Sequence, residues 1–150
     1  MVVRPATPDD IDALADLAEE MDRFYGAREI ETLDVRRQQI REALFGDLPA
    51  AYALLAADGG AAIGFAAYSF LWPAVGLTRS LYLKELYVTE GRRRGGVGRQ
   101  IMASLLAVAR EHGCSRLEWT TDRDNPEAQA FYETLGLKPK DSKVFYRLER

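Results

Sequence analysis

The sequence predicts an α+β fold with a mixed, mostly antiparallel central sheet flanked by helices. Three observations predict it. Four segments carry apolar residues at helical spacing, an Asp-Gly-Gly turn joins two apolar strand-like runs, and a third such run leads into a glycine-rich turn and a helix. The 150 residues, 47% of them hydrophobic, fit a single domain over residues 1–150 with a core of its own.

The chain is expected to begin with a short strand and two helices. Residues 2–4 are an apolar start, and Thr7-Pro8-Asp9-Asp10 is typical of a helix N-terminus, with Thr7 as the cap. Apolar residues then recur at helical spacing at Ile11, Leu14, Leu17, Ala18 and Met21. A second helix is predicted over residues 34–44, with Ile40 and Leu44 facing inward. The loop between the helices can reach over a cleft, which makes Tyr25 a candidate substrate contact.

A β-hairpin and a third strand are expected next. The apolar runs 51–57 and 62–71 are separated by Asp58-Gly59-Gly60, a hairpin turn signal, so the two strands should be antiparallel. The turn-rich residues 72–76 lead to a strand over residues 81–88.

The last third of the chain alternates helices and strands. A helix is predicted over residues 98–112 and a strand over residues 116–121. Asn125 can cap a further helix that begins at Pro126 and ends at Gly136. The alternating apolar residues Val144, Tyr146 and Leu148 predict a final strand.

Composition argues against several classes of protein. No apolar run approaches the roughly 20 residues of a membrane-spanning helix, and the N-terminus has no long apolar region or cleavage signature. We therefore expect a cytoplasmic protein with no membrane partner. The one cysteine, Cys114, and the one histidine, His112, cannot make an internal disulfide or a Cys/His metal site, so no metal is expected.

The charge is unevenly distributed. Residues 1–60 carry 6 basic and 13 acidic side chains, a balance of −7 that leaves +4 for the rest of the chain. So acidic a first part argues against a nucleic-acid partner. An acidic half beside a basic loop suits a cationic substrate that faces an anionic cofactor, although solvated helix faces explain most of these charges equally well.

The most informative segment is the turn Arg92-Arg93-Arg94-Gly95-Gly96-Val97-Gly98-Arg99, between a strand and a helix. Glycines let the backbone approach an oxygen-rich group, and the unpaired N–H groups at a helix N-terminus attract anions. Guanidinium groups suit phosphate oxygens. A P-loop would continue with Gly-Lys-Ser/Thr, and a dinucleotide fingerprint would need a third glycine near Ile101. The turn therefore predicts a pyrophosphate site, with a plain tight turn as the alternative.

Two separated motifs resemble those of the GNAT acetyltransferase superfamily. Arg93-Arg94-Gly95-Gly96-Val97-Gly98 resembles its Q/R-x-x-G-x-G/A acyl-CoA signature, and Asn125-Pro126-Glu127-Ala128-Gln129-Ala130-Phe131-Tyr132 resembles its N-x-x-A-x-x-F-Y motif. The resemblance covers nearly the whole chain and implies a GNAT-like fold. Within the family, residues 64–68 and 81–85 look similar to the diamine and polyamine N-acetyltransferase branch. That branch has two adjacent acids where this chain has Lys84-Glu85, which leaves a smaller amine or amino acid open.

The resemblance implies an enzyme that transfers an acetyl group from acetyl-CoA to a primary amine of a small molecule by direct attack. The residues expected to contact the cofactor are Leu86, Tyr87, Val88, Arg93, Arg94, Gly95, Gly96, Val97, Gly98, Arg99, Asn125, Ala128, Phe131 and Tyr132. In this family Tyr132 would donate a proton to the departing thiolate, which suits a hydroxyl group. The alternative is that Phe131 and Tyr132 are an aromatic pair in the core.

A base is needed because an alkylamine of pKa near 10.4 is neutral in only about one molecule in 2500 at pH 7, a cost of roughly 4.6 kcal/mol. Glu85, on the strand that leads into the glycine-rich turn, is the candidate base and substrate contact. The alternative for Glu85 is a surface position or a salt bridge with Lys84.

Two other functions remain open from the sequence. One is acetylation of a protein lysine or N-terminus, and the other is a non-catalytic acyl-CoA sensor. The apolar final strand, together with the family resemblance, also suggests a homodimer.

Overall fold

A five-stranded sheet is the centre of the fold. The computed structural model describes residues 1–150, which divide into two units, residues 1–120 and residues 121–150. The first unit contains β1 (Val2–Pro5), α1 (Ile11–Phe24), α2 (Leu33–Phe45), β2 (Tyr52–Asp58), β3 (Ala61–Leu71), β4 (Arg79–Val88), α3 (Val97–Glu111) and β5 (Cys114–Trp119). The second contains α4 (Pro126–Thr134). One domain over all 150 residues stays a prediction.

The strands lie in the order β1-β2-β3-β4-β5, so neighbours in the sheet are also neighbours along the chain. The pairs β1–β2, β2–β3 and β3–β4 are antiparallel, and only β4–β5 is parallel. The predicted hairpin is confirmed, because Gly59 and Gly60 form its turn with φ of 58° and 84°. The predicted α+β fold with a mixed, mostly antiparallel sheet is therefore confirmed.

Strand β4 is irregular in the half that leads to the glycine-rich turn. Its register with β3 pairs Ala67 with Glu85 but Tyr68 with Leu83, which leaves Lys84 as the extra residue of a β-bulge. The pairing of β4 with β5 ends at Leu83 and Trp119, so residues 85–88 pair with β3 alone. This half of β4 has an open edge.

One face of the sheet packs against α1 and α2. The buried cluster there contains Leu14, Leu17, Ala53, Leu55, Phe65 and Tyr87, and the partly buried Met21, Ile40 and Leu44 lie against it. The predicted inward faces of both helices are confirmed. Arg36 of α2 is buried and donates from Nη2 to the Ala15 carbonyl at 2.5 Å, which ties α2 to α1.

Helix α3 packs on the other face and contacts all five strands. Its buried residues are Val97, Ile101, Met102, Leu105 and Ala109, which recur at helical spacing. Gly64 of β3 allows the close approach, because a Cβ there would lie 2.9 Å from the Tyr87 carbonyl oxygen and 3.5 Å from Ile101 Cδ1.

In the second unit, α4 has the predicted ends. Asn125 Oδ1 accepts a hydrogen bond from the Ala128 N–H at 3.1 Å, Pro126 is the first helical residue, and Gly136 follows the helix with φ of 79°. None of the helices in the protein has both the length and the apolar composition that crossing a membrane requires.

The predicted final strand is wrong. Residues 138–150 form no helix or strand, and the side chains of Val144, Phe145, Tyr146 and Leu148 are between 64% and 94% exposed. A strand is stable only when its backbone groups pair with a neighbouring strand, and this segment is absent from the sheet. Alternation of apolar residues alone does not supply that partner.

Candidate functional site

The glycine-rich turn joins β4 to α3 through a short 3-10 turn, Glu90–Arg92. The chain then reverses with two left-handed residues, Arg94 at φ 64° and Gly96 at φ 87°, and Gly96 occupies the N-cap position of α3. The first intrahelical bond runs from the Gln100 N–H to the Gly96 carbonyl at 3.0 Å. The N–H groups of residues 97–99 therefore lack intrahelical acceptors and carry the positive end of the helix dipole. Such a turn can bind an oxygen-rich anion.

The arginines around this turn have different surroundings. Arg92 pairs with Asp58 at the end of β2. Arg93 is half-buried, and its Nε donates to the Val88 carbonyl at 2.9 Å. Arg94 and Arg99 are exposed. The turn thus combines backbone donors with exposed positive charge.

The open half of β4 supplies a second set of backbone groups. Along residues 84–88, alternate N–H and C=O groups face the side of β4 where β5 has ended. Leu86 and Val88, two of the residues predicted to contact the cofactor, belong to this half. An extended polar chain can bind such an open edge as an added strand would.

Glu85 lies on the face of the sheet that packs against α1. It pairs with Ala67, which contacts the buried cluster on that face, and it is two residues from Tyr87, which belongs to the cluster. Since side chains alternate along a strand, Glu85 and Tyr87 share this face. Glu85 is half-buried and follows the bulge at the exposed Lys84.

Aromatic residues and one carboxylate gather at the end of α1. Tyr25 caps α1 and its ring meets that of Phe24 edge-on at 5.2 Å, while Phe24 lies 6.4 Å from the ring of Tyr87. The Tyr87 hydroxyl donates to Glu20 Oε2 at 2.6 Å. Burial, together with that hydrogen bond, raises the pKa of Tyr87 to about 12. Tyr87 therefore acts as a hydrogen-bond donor and packing group and is not a source of protons near neutral pH.

Two cavities adjoin this cluster and share Glu20 and Thr89. One has a volume of about 380 Å³ and is lined by Glu20, Arg23, Phe24, Tyr87, Thr89, Glu90 and Gly91. The other, of about 260 Å³, is lined by Ala13, Asp16, Leu17, Glu20, Ala62 and Thr89. Three carboxylates against one guanidinium give these walls a net negative charge, which favours a cation.

The remaining predicted residues belong to the second unit. Asn125 uses its side-chain oxygen as the cap of α4. Phe131 and Tyr132 are half-buried neighbours whose ring centres lie 5.2 Å apart at 56°. Ala128, Phe131 and Tyr132 thus lie on one short helix that Asn125 caps. In the first unit, Phe24 contacts both Tyr25 and Arg93 of the glycine-rich turn, and Glu85 lies on the strand that precedes this turn.

Sequence reasoning missed Glu20, Phe24 and Asp58. Glu20 and Phe24 are four residues apart on α1, so they share a helix face, but nothing local shows that this face meets β4 and Arg93. The sequence marks Asp58 only as a turn residue. Its partnership with Arg92 joins residues 34 positions apart, which local patterns do not reveal.

Comparison with known proteins identifies the family to which the chain is similar. Residues 13–137 match the model of the acetyltransferase (GNAT) family. A D-amino-acid N-acetyltransferase, HPA3, of Saccharomyces cerevisiae is 36% identical over 90 residues, which cover 60% of this chain and 55% of the yeast protein. Aminoglycoside N(6')-acetyltransferase type 1 of Serratia marcescens is 30% identical, covering 74% of this chain and 77% of that protein. Thialysine N-epsilon-acetyltransferase of Sus scrofa is 26% identical, covering 72% and 68%. The chain thus spans only just over half the length of the yeast relative.

Solved structures agree in fold over the whole chain. An integron cassette protein from the mobile metagenome of V. cholerae superposes with a TM-score of 0.91 at 27% identity, covering 99% of this chain and 92% of the other. A probable acetyltransferase gives 0.86 at 27% identity, covering 100% and 98%. Aminoglycoside N-acetyltransferase AAC(6')-Iy, solved in complex with CoA, gives 0.80 at 22% identity, covering 99% and 95%.

Proposed function

The chain belongs to the acetyltransferase (GNAT) family, and we propose that it is an enzyme that moves the acetyl group of acetyl-CoA to a primary amine of a small molecule. The observation that supports this proposal is that two sets of exposed backbone groups, one on β4 and one at the start of α3, follow one another along the chain. The open half of β4, residues 84–88, is followed after the 3-10 turn Glu90–Arg92 by the left-handed turn at the start of α3. A long ligand with a polar arm and a pyrophosphate fits that sequence of groups.

The cofactor would be held by the turn at one end and by β4 at the other. Gly95, Gly96, Val97, Gly98 and Arg99 offer N–H groups to phosphate oxygens, and Arg94 adds charge. The left-handed Gly96 has open space around the position of a Cβ, so the turn leaves room for a ligand. Leu86 and Val88 would hold the pantetheine arm through backbone groups on the open edge, with Tyr87 between them. Asn125, Ala128, Phe131 and Tyr132 would be further contacts. Acetyl-CoA supplies an activated acyl thioester.

Glu85 would act as the base. It is half-buried on the face that α1 covers, at the end of the bulge where β4 loses its β5 partner. A carboxylate there can take the proton of the incoming ammonium group, directly or through a water molecule. Tyr132 would supply the complementary acid by donating its hydroxyl proton to the departing sulfur.

The acceptor would be a small cationic amine, in the range of a diamine, a polyamine or an amino acid. Asp16, Glu20 and Glu90 line the two cavities beside Tyr87, and their negative charge would attract such a substrate. Tyr25, exposed at the end of α1, would contact it. The relatives are named for D-amino acids, thialysine and aminoglycosides, which all carry primary amines.

Thiol release from acetyl-CoA, measured with separate diamines, amino acids, aminoglycosides and lysine peptides, tests this proposal. We expect thiol release to depend on a small amine. The kcat/KM for lysine peptides should be far lower than that for the small amine. Release that is fastest with peptides would move the assignment to protein acetylation, and CoA binding without any turnover would point to a sensor.

We also propose a homodimer in the cytoplasm, in which a second subunit covers the exposed apolar side chains of residues 144–148. Sedimentation velocity should show a dimer at micromolar concentration. A strict monomer at high concentration would contradict this part of the proposal.

A further inference from the structure

The three consecutive arginines before the glycines are held in three different ways. Arg92 Nη2 contacts Asp58 Oδ2, and this hydrogen bond lowers the pKa of the Asp58 carboxyl below its usual value. Arg92 is therefore committed to an ion pair that joins the loop to the end of β2.

Arg93 is enclosed by the ends of α1 and β4. Its Nε donates to the Val88 carbonyl at 2.9 Å, and its guanidinium carbon lies 4.3 Å from the centre of the Phe24 ring and 5.4 Å from that of Tyr87. Tyr87 is in turn fixed to α1 through Glu20. The planar guanidinium of Arg93 thus lies between the end of α1 and the end of β4, just before the glycine-rich turn.

Arg94 differs from both. Its side chain is exposed, and its backbone has the left-handed conformation next to the glycines. Its backbone reverses the chain, and its side chain is on the solvent side of the turn. Of the three arginines, it is the one whose charge is available to a ligand in solution.

We propose that Arg93 is a positioning residue for the cofactor loop, which acts through Phe24 and the Val88 carbonyl, while Arg94 supplies the positive charge that phosphate oxygens meet. This inference rests on the proposed function, since it takes CoA as the ligand of the turn. It changes the expectation that Arg93 contacts the cofactor directly. Its consequence is that the end of α1, which borders the two cavities described above, also sets the shape of the phosphate site.

Lysine substitutions separate the two roles, because lysine keeps the charge but loses the planar stacking group and the Nε donor. We expect Arg93→Lys and Arg93→Gln to weaken CoA binding alike, by about tenfold. Arg94→Lys should bind nearly as the wild type does, whereas Arg94→Gln should lose about tenfold. Calorimetric titration with CoA measures all four variants.

Phe24→Leu tests the same contact from the other side. It should weaken CoA binding, and the double variant with Arg93→Gln should bind no more weakly than the weaker single variant, because both changes break one contact. In steady-state kinetics the Arg93 variants should raise KM for acetyl-CoA, with kcat at saturation and KM for the amine within about twofold of wild type. A general loss of folded protein would instead lower kcat and leave both KM values nearly unchanged.

Wild-type affinity in Arg93→Lys with a loss only in Arg93→Gln would overturn the inference, as would additive losses in the double variant or unchanged binding in Phe24→Leu. Those outcomes leave the proposed function standing. Absence of CoA binding by the wild-type protein would overturn both.

Discussion

Replacing Gly96 by valine tests the phosphate site most sharply, because the structure separates its effect on stability from its effect on binding. Gly96 has φ of 87°, and a Cβ there would have no atom within 4 Å. No clash opposes the new Cβ, so the main cost is backbone strain, roughly 1–2 kcal/mol for an L-residue in the left-handed region. That is well below the roughly 5–15 kcal/mol that holds a domain together. The variant should fold.

The effect on the ligand should be larger. A branched side chain at the N-cap of α3 would stand over the N–H groups of residues 97–99 and keep phosphate oxygens at a distance. Losing even one hydrogen bond to a charged group costs about 1.5–3 kcal/mol. We therefore expect CoA affinity to fall by at least about tenfold.

Gly113 provides the matched control. It has φ of 68°, and a Cβ there is equally open, but it lies beyond the opposite end of α3. Gly113→Val should lower the melting temperature by a similar amount, roughly 2–8 °C, because the strain is similar. It should bind CoA as the wild type does. Unchanged calorimetric affinity in a folded Gly96→Val protein would refute the assignment of the turn.

Three further changes test the stability and the chemistry. Asp10 is buried, and the hydrogen bonds from Arg4 at 2.7 and 2.9 Å lower the pKa of its carboxyl to about 2. The contribution of Asp10 to stability is therefore complete above pH 4 and is lost as the pH falls from about 4 to 2. Asp10→Asn should cost about 2 kcal/mol at pH 7 and progressively less below pH 4 in urea unfolding, and a difference independent of pH would contradict this. Tyr132→Phe should lower kcat by about 10² to 10⁴ with nearly intact CoA affinity. A fully active variant would show that Tyr132 has only a packing role. Glu85→Gln should remove the low-pH limb of kcat/KM, with activity partly recovered at alkaline pH where more amine is neutral, and an unchanged pH profile would exclude Glu85 as the base.

Local patterns were enough to predict most of the sheet and its helices. The helical period of α1 and the Asp-Gly-Gly turn depend only on neighbouring residues, and both are confirmed. Residues 144–148 show the limit of that reasoning, because their alternation is as regular as that of a strand but the sheet offers them no pairing.

The residues of the candidate site could be proposed from the sequence, but their geometry could not. The glycines and their place before α3 follow from sequence, whereas the bulge at Lys84 and the early end of β5 depend on how three strands pair. In the same way, a run of three arginines gives no sign that Arg92 faces Asp58 and Arg93 faces Phe24. These contacts join distant segments, so they become visible only in the folded chain.

The central claim is that this protein transfers an acetyl group from acetyl-CoA to a small amine. Incubation with isotope-labelled acetyl-CoA and the most active amine of the panel, followed by mass spectrometry of the amine, tests it most directly. We expect one labelled acetyl group on the amine nitrogen with the wild-type enzyme and Gly113→Val, and far less with Gly96→Val. Label found only in free acetate, or equal transfer by Gly96→Val, would contradict it.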